Sequence, residues 1–175
     1  MTSAPFAHPR AGSLRLMGTT WVGHHVDADE ARAAVASGFE GVHDRLATVP
    51  VECQVDIDKA WHGIHWLLTG DSDPTSAIES RAIFGGEPVL YDDGSTVFLV
   101  DPDTVRAVAA RLADIPVAAL EARHDPGAMF EAEVYPLIWD EEDAFTDYLG
   151  PLYEDLRAFY AAAADRGEAV LQTLS

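Results

Sequence analysis

The stretch from Val55 to Gly70 holds the chain's only lysine, Lys59, together with Trp61, His62, His65 and Trp66. These residue types can do acid–base chemistry: a histidine exchanges protons near neutral pH, a carboxylate orients it, and an ammonium steadies an anion. At about 100° per residue, a helix over Asp58–Thr69 lines up Asp58, His62, His65 and Thr69 as a polar stripe. Ile57, Trp61, Ile64 and Leu68 form an apolar stripe beside it. The candidate catalytic set is therefore His65 as proton carrier, Asp58 as its orienting partner and Lys59 as anion stabiliser. Candidate binding residues are Asp56, Trp61 and Thr69 around it, with Tyr135 and Trp139 as aromatic walls from further along the chain. Plainer readings stand beside these. His65 suits a core histidine bonded to a backbone carbonyl, Lys59 a surface pair with Asp56 or Asp58, and Tyr135 and Trp139 ordinary core packing.

His62 and His65, three apart, can share a metal on one helix face, but no glutamate completes a metalloprotease pattern and no metal site is expected. No cofactor is identifiable. The chain carries no phosphate-binding glycine loop, no Gly-x-Gly-x-x-Gly and no Gly-x-Ser-x-Gly elbow. No motif names a reaction, so whether the protein is an enzyme stays open.

The elements that must position these residues follow from local signals. Thr19–Val26 reads as a strand whose His24 and His25 point to opposite faces, one buried and one exposed. Asp27 or Asp29 caps a short alanine-rich helix that Gly38 stops. The helix over 58–69 ends at Gly70, and Asp71–Ser76 is a loop. A helical piece covers 77–84 and stops at Gly85-Gly86. Strands at 89–91 and 96–100 flank the turn Asp92-Asp93-Gly94-Ser95. Asp101 caps a helix with Pro102 at its first position, and a further helix spans 117–123. Asp125-Pro126-Gly127 reads as a turn. Asp140 is expected to cap a long C-terminal helical region that Gly150-Pro151 kinks or divides, before a last strand at 169–174. The fold class is α/β of the α+β type: one compact domain in which a small mixed sheet packs against several helices.

Composition agrees. In 175 residues, 48% are hydrophobic, enough for a core. Thirty acids against 11 bases give a net charge of −19, a field that repels phosphate backbones, so no nucleic-acid partner is expected. Cys53 is alone, which removes intramolecular disulfides and thiolate zinc sites and points to a cytoplasmic setting. No apolar run approaches the roughly 20 residues a membrane helix needs, so no membrane partner is expected. Residues 1–16, with Pro5, Pro9 and Gly12, read as a poorly ordered leader before a domain over 17–175.

The pattern Asp56, Asp58, Lys59, Trp61, Ile64, His65, Leu67, Leu68, Thr69, Gly70 resembles the signature of the YfbM-like family, a bacterial group described as a domain of unknown function. Met17-Gly18, Ala82–Gly86, Thr96–Val100, Val134–Pro136 with Trp139, and Leu149–Leu174 fall in family order. The resemblance spans residues 17–174 and implies a compact α/β domain; it implies no reaction, substrate or catalytic residues. His62 lies outside the pattern. With chemistry undetermined, the acids Glu131, Glu133, Asp140, Glu141, Glu142 and Asp143 set the leading expectation, a binding module of inhibitor or immunity type that docks a basic protein partner. The alternative is a small-molecule-binding protein or enzyme built on Asp58, Lys59, Trp61 and His65. Oligomeric state has no signal in the sequence.

Overall fold

The computed structural model describes residues 18–92 and 94–175; the expected leader and Asp93 lie outside the described residues. Five strands, β1 (Trp21–Val26), β2 (Gln54–Asp56), β3 (Pro88–Tyr91), β4 (Thr96–Val100) and β5 (Ala169–Leu174), form one sheet. Their order is β2–β1–β5–β4–β3, and all four pairings are antiparallel. The α+β fold class therefore stands, with a sheet antiparallel throughout where mixed strand directions were expected. The last strand is the central one. β5 pairs with β1 from Trp21↔Leu174 to Val26↔Ala169 and with β4 from Thr96↔Leu174 to Val100↔Val170.

Helices cover both faces. Ala31 and Ala34 of α1 (Ala28–Ala36) and Val42 of α2 (Gly38–Leu46) pack with Val26, Val97 and Leu171 on one side. On the other, Trp21, Val100 and Val170 meet α3 (Trp61–Thr69), α4 (Arg81–Phe84), α5 (Pro102–Ala113), α6 (Val117–Glu121), α7 (Pro126–Glu131) and α8 (Gly150–Arg166). Double coverage buries both His24 and His25, where one was expected to be exposed. Burial beside His25 pushes the His24 pKa down to about 4.

Capping chemistry matches the sequence where the signal is local. The Asp27 carboxylate accepts from the amides of Asp29 and Glu30, and Asp101 does the same for Asp103 and Thr104. Gly70, at φ +76°, ends α3 in the left-handed conformation that glycine adopts without a Cβ penalty. The Ala82–Gly86 segment is held from three directions. Gln172 donates to the carbonyls of Arg81 and Ala82, Tyr160 donates to Ala82 and Trp21 donates to Ile83. Gly85 is required there, since a Cβ would fall 2.6 Å from that of Phe98.

Three expectations change. Residues 58–60 form a single tight turn, so α3 starts only at Trp61. Asp125-Pro126-Gly127 opens α7, where the Asp125 carboxylate accepts from Ala128 and Pro126 gives up no needed hydrogen bond. Asp140 caps nothing. A wide helical turn over Ala144–Leu149 precedes α8, so Gly150-Pro151 divides the helical region as expected, with Pro151 in the first turn of α8.

Candidate functional site

Asp56, Asp58, His62, His65 and Thr69 of the signature stretch are each hydrogen-bonded into local architecture. The Asp56 carboxylate accepts the Asp58 amide at 2.7 Å, a side-chain-capped turn that sets Asp58 at φ +47°. The Asp58 carboxylate accepts the Tyr148 hydroxyl at 2.8 Å, and the Lys59 amide donates to the same hydroxyl at 3.1 Å. Burial, then this hydrogen bond to a carboxylate, drives the Tyr148 pKa up. The Lys59 ammonium pairs with neither Asp56 nor Asp58 among the described residues, so the expected surface pair is not made.

The turn at 58–60 breaks the predicted stripe, so Asp58 and His65 do not meet. The His65 ring is 0% exposed, and its Nε2 lies 3.0 Å from the carbonyl of Asp73. That contact makes Nε2 the donor, and Phe84 packs edge-on against the ring at 4.8 Å. Burial pushes the pKa of His65 down to about 4. Thr69 donates to the His65 carbonyl at 2.9 Å and finishes the last turn of α3.

His62 is locked from both ends. The Tyr135 amide donates to its Nδ1 at 3.0 Å, so its Nε2 carries the proton and donates to the carbonyl of Ser72 at 2.9 Å. A ring with both nitrogens committed to backbone is unsuited to holding a metal. Trp61 stacks on His62 at 4.9 Å and donates to the carbonyl of Thr19.

α3 reaches the acidic segment by one further contact. A Cβ on Gly63 would lie 2.8 Å from the Trp139 ring and 2.9 Å from Leu149, so glycine lets the indole rest against the helix backbone. The Trp139 indole donates to the carbonyl of Val134 at 2.7 Å. Tyr135 is half-buried, with its hydroxyl accepting from the Gly18 amide. Between these anchors the chain bulges outward. Glu133 and Leu137 adopt φ of +52° and +68°, and Phe130 and Leu137 are 68% and 49% exposed. They border a depression of about 240 Å³ walled by Pro126 and Gly127, backed by Trp139 and edged by Asp140. Glu131, Glu133, Asp140, Glu141, Glu142 and Asp143 are all exposed. No lysine or arginine lies between Arg123 and Arg157.

A family model described as a domain of unknown function, DUF1877, matches residues 17–173. The chain belongs to this family. A solved structure of a protein of unknown function, YfbM from Escherichia coli, has 23% identity and a TM-score of 0.71 to this DUF1877 chain, covering 89% of it and 99% of that protein. At that identity the likeness shows the fold alone. No curated protein matches the chain.

In this DUF1877 domain the structure thus brings Trp61, Tyr135 and Trp139 together around His62 and Gly63, while Asp58 and the Lys59 amide bond Tyr148 and His65 bonds the carbonyl of Asp73. Among the described residues, no group of three or more His, Cys, Asp or Glu side chains is placed to hold a metal ion, and no helix is long and apolar enough to cross a membrane. Sequence reasoning missed Phe130 and Leu137. Their only signal was apolar character inside an acid-rich, base-free stretch, because a positive φ at a leucine leaves no trace in the sequence.

Proposed function

We propose that this domain is a protein-binding module that docks a basic partner on the segment from Glu131 to Asp143. Masking of the partner's own basic surface, in the manner of an inhibitor or immunity protein, is the action this suits. The observation that carries the reading is the exposure of all six acids in a stretch with no lysine or arginine between Arg123 and Arg157, none of the six being ion-paired among the described residues. Such a one-sign surface attracts a cationic partner over roughly a Debye length and raises its association rate. A cytoplasmic setting remains part of this proposal, supported by the lone Cys53.

The alternative, chemistry at Asp58, Lys59, Trp61 and His65, draws less support. A proton carrier must reach its substrate, and His65 is 0% exposed while Asp58 serves Tyr148.

The test uses a lysine-rich model peptide as the basic probe. Glu131, Glu133, Asp140, Glu141, Glu142 and Asp143 are changed to their amides, and association is followed by stopped-flow between low and physiological salt. The expected result is a slower association with a flatter salt dependence. A control variant that neutralises as many exposed acids elsewhere, beginning with Glu40 and Asp44 on α2, should retain most of the rate. Equal effects from the two variants would show a diffuse charge effect and sink the reading.

A further inference from the structure

We infer that the depression between α7 and Leu137 is the anchor pocket of this surface, seating one aromatic or branched aliphatic side chain of the basic partner. The inference rests on the docking reading above and adds to it the chemistry of the bound segment.

Three observations converge. Phe130 and Leu137 are large, apolar and exposed, and neither belongs to the hydrophobic core. Leu137 sits at φ +68°, a conformation that a branched residue without compensation avoids. An apolar side chain that is both solvated and in an unfavourable backbone region serves no purpose in folding, and such residues concentrate at functional surfaces. The backing of the pocket is rigid. Trp139 is only 2% exposed, hydrogen-bonded to Val134 and pressed on Gly63.

Size and charge select the occupant. A volume of about 240 Å³ falls below the roughly 300–1,000 Å³ of small-molecule sites, and suits a single large side chain. Aromatic anchors in pockets, ringed by polar contacts that exclude water, carry most of the affinity in protein interfaces. Here the ring is acidic. Asp140 forms part of the wall, and Glu131, Glu133, Glu141, Glu142 and Asp143 are exposed along the flanking chain, so lysine or arginine must neighbour the anchor. A second copy of this chain is disfavoured as occupant, because a net charge of −19 sets like against like.

Two synthetic peptides test this: lysines and glycines alternating around a central tryptophan, and the same peptide with glycine at the centre. Each is titrated at low salt into the full, isotope-labelled chain and followed by NMR. The tryptophan peptide should bind at least tenfold more tightly, shifting the Phe130 and Leu137 amides and the Trp139 indole proton. Leu137→Asn keeps a residue type that tolerates the left-handed region while removing the apolar wall. It should bring the two affinities within about twofold while the Trp139 resonance reports an intact fold; Phe130→Ser should do the same. Equal affinities in the parent chain, with shifts along Glu131–Asp143, overturn the pocket and leave charge-driven docking standing; shifts confined to other surfaces overturn both readings. No binding of either peptide overturns both readings.

Discussion

His65 stays neutral at physiological pH because burial makes its charged form expensive, and its one clear hydrogen bond, to the carbonyl of Asp73, does not offset that. His24 is depressed in the same way, to about 4. Their contribution to stability has a definite sign. Below the unfolded value of about 6.5 the unfolded chain takes up protons that the folded chain refuses, so stability is lost as pH falls from about 6.5 towards 4. Each histidine accounts for a loss of about 2 kcal/mol between pH 7 and pH 5 on this basis. Urea denaturation at the two pH values, comparing the parent with His65→Gln, isolates one of them. The glutamine variant should show a smaller drop by about that amount; identical drops would mean that His65 is accessible and titrates freely. The acids behave differently at this scale. The sequence offers Asp58 as the orienting partner of His65 and Asp56 as a binding residue, yet Asp58 holds Tyr148 and Asp56 sets a turn.

At the scale of elements, α3 acts as the buttress of the acidic segment. Gly63 receives Trp139, and His62 receives the amide of Tyr135, so the helix carrying the family signature fixes both ends of the outward bulge at Leu137. A glycine inside a helix costs about 1 kcal/mol relative to alanine, so its presence needs a packing reason, and the indole supplies one. Gly63→Ala should gain that propensity but lose more to overpacking, which typically costs about 1–3 kcal/mol. The expected net effect is a destabilisation of about 1 kcal/mol in chemical denaturation, with a changed near-ultraviolet signal from Trp139. Increased stability with an unchanged signal would show that the ring has room to yield.

At the scale of the molecule, the sheet is closed by its last strand. β5 lies between β1 and β4, so β2–β1 and β4–β3 form one sheet only after the final residues arrive. Such non-local pairing makes the C-terminus part of the folding unit rather than an appendage. Removing residues 169–175 should therefore abolish cooperative unfolding and amide dispersion in NMR, whereas a chain ending at Leu174 should remain folded. A truncated protein that keeps a cooperative transition would show that the helices carry the fold without their central strand.

Local chemistry was legible in the sequence wherever neighbours in the chain decide the outcome. The caps at Asp27 and Asp101, the stop at Gly70, the β3–β4 turn and the strand at 169–174 all follow from residues within a few positions of one another. Composition likewise determined the acidity, and the order of motifs pointed to the family. Tertiary structure decided the rest. A three-residue β2 is too short for a periodic signal, and the tight turn at 58–60 is tied down by Tyr148, ninety positions from Asp58, through the Asp58 carboxylate and the Lys59 amide. Burial of His24, His25 and His65, the seat of Trp139 on Gly63, and the exposure of Phe130 and Leu137 all depend on which element packs where. Those contacts join residues far apart in the chain, and no periodicity along the chain records them.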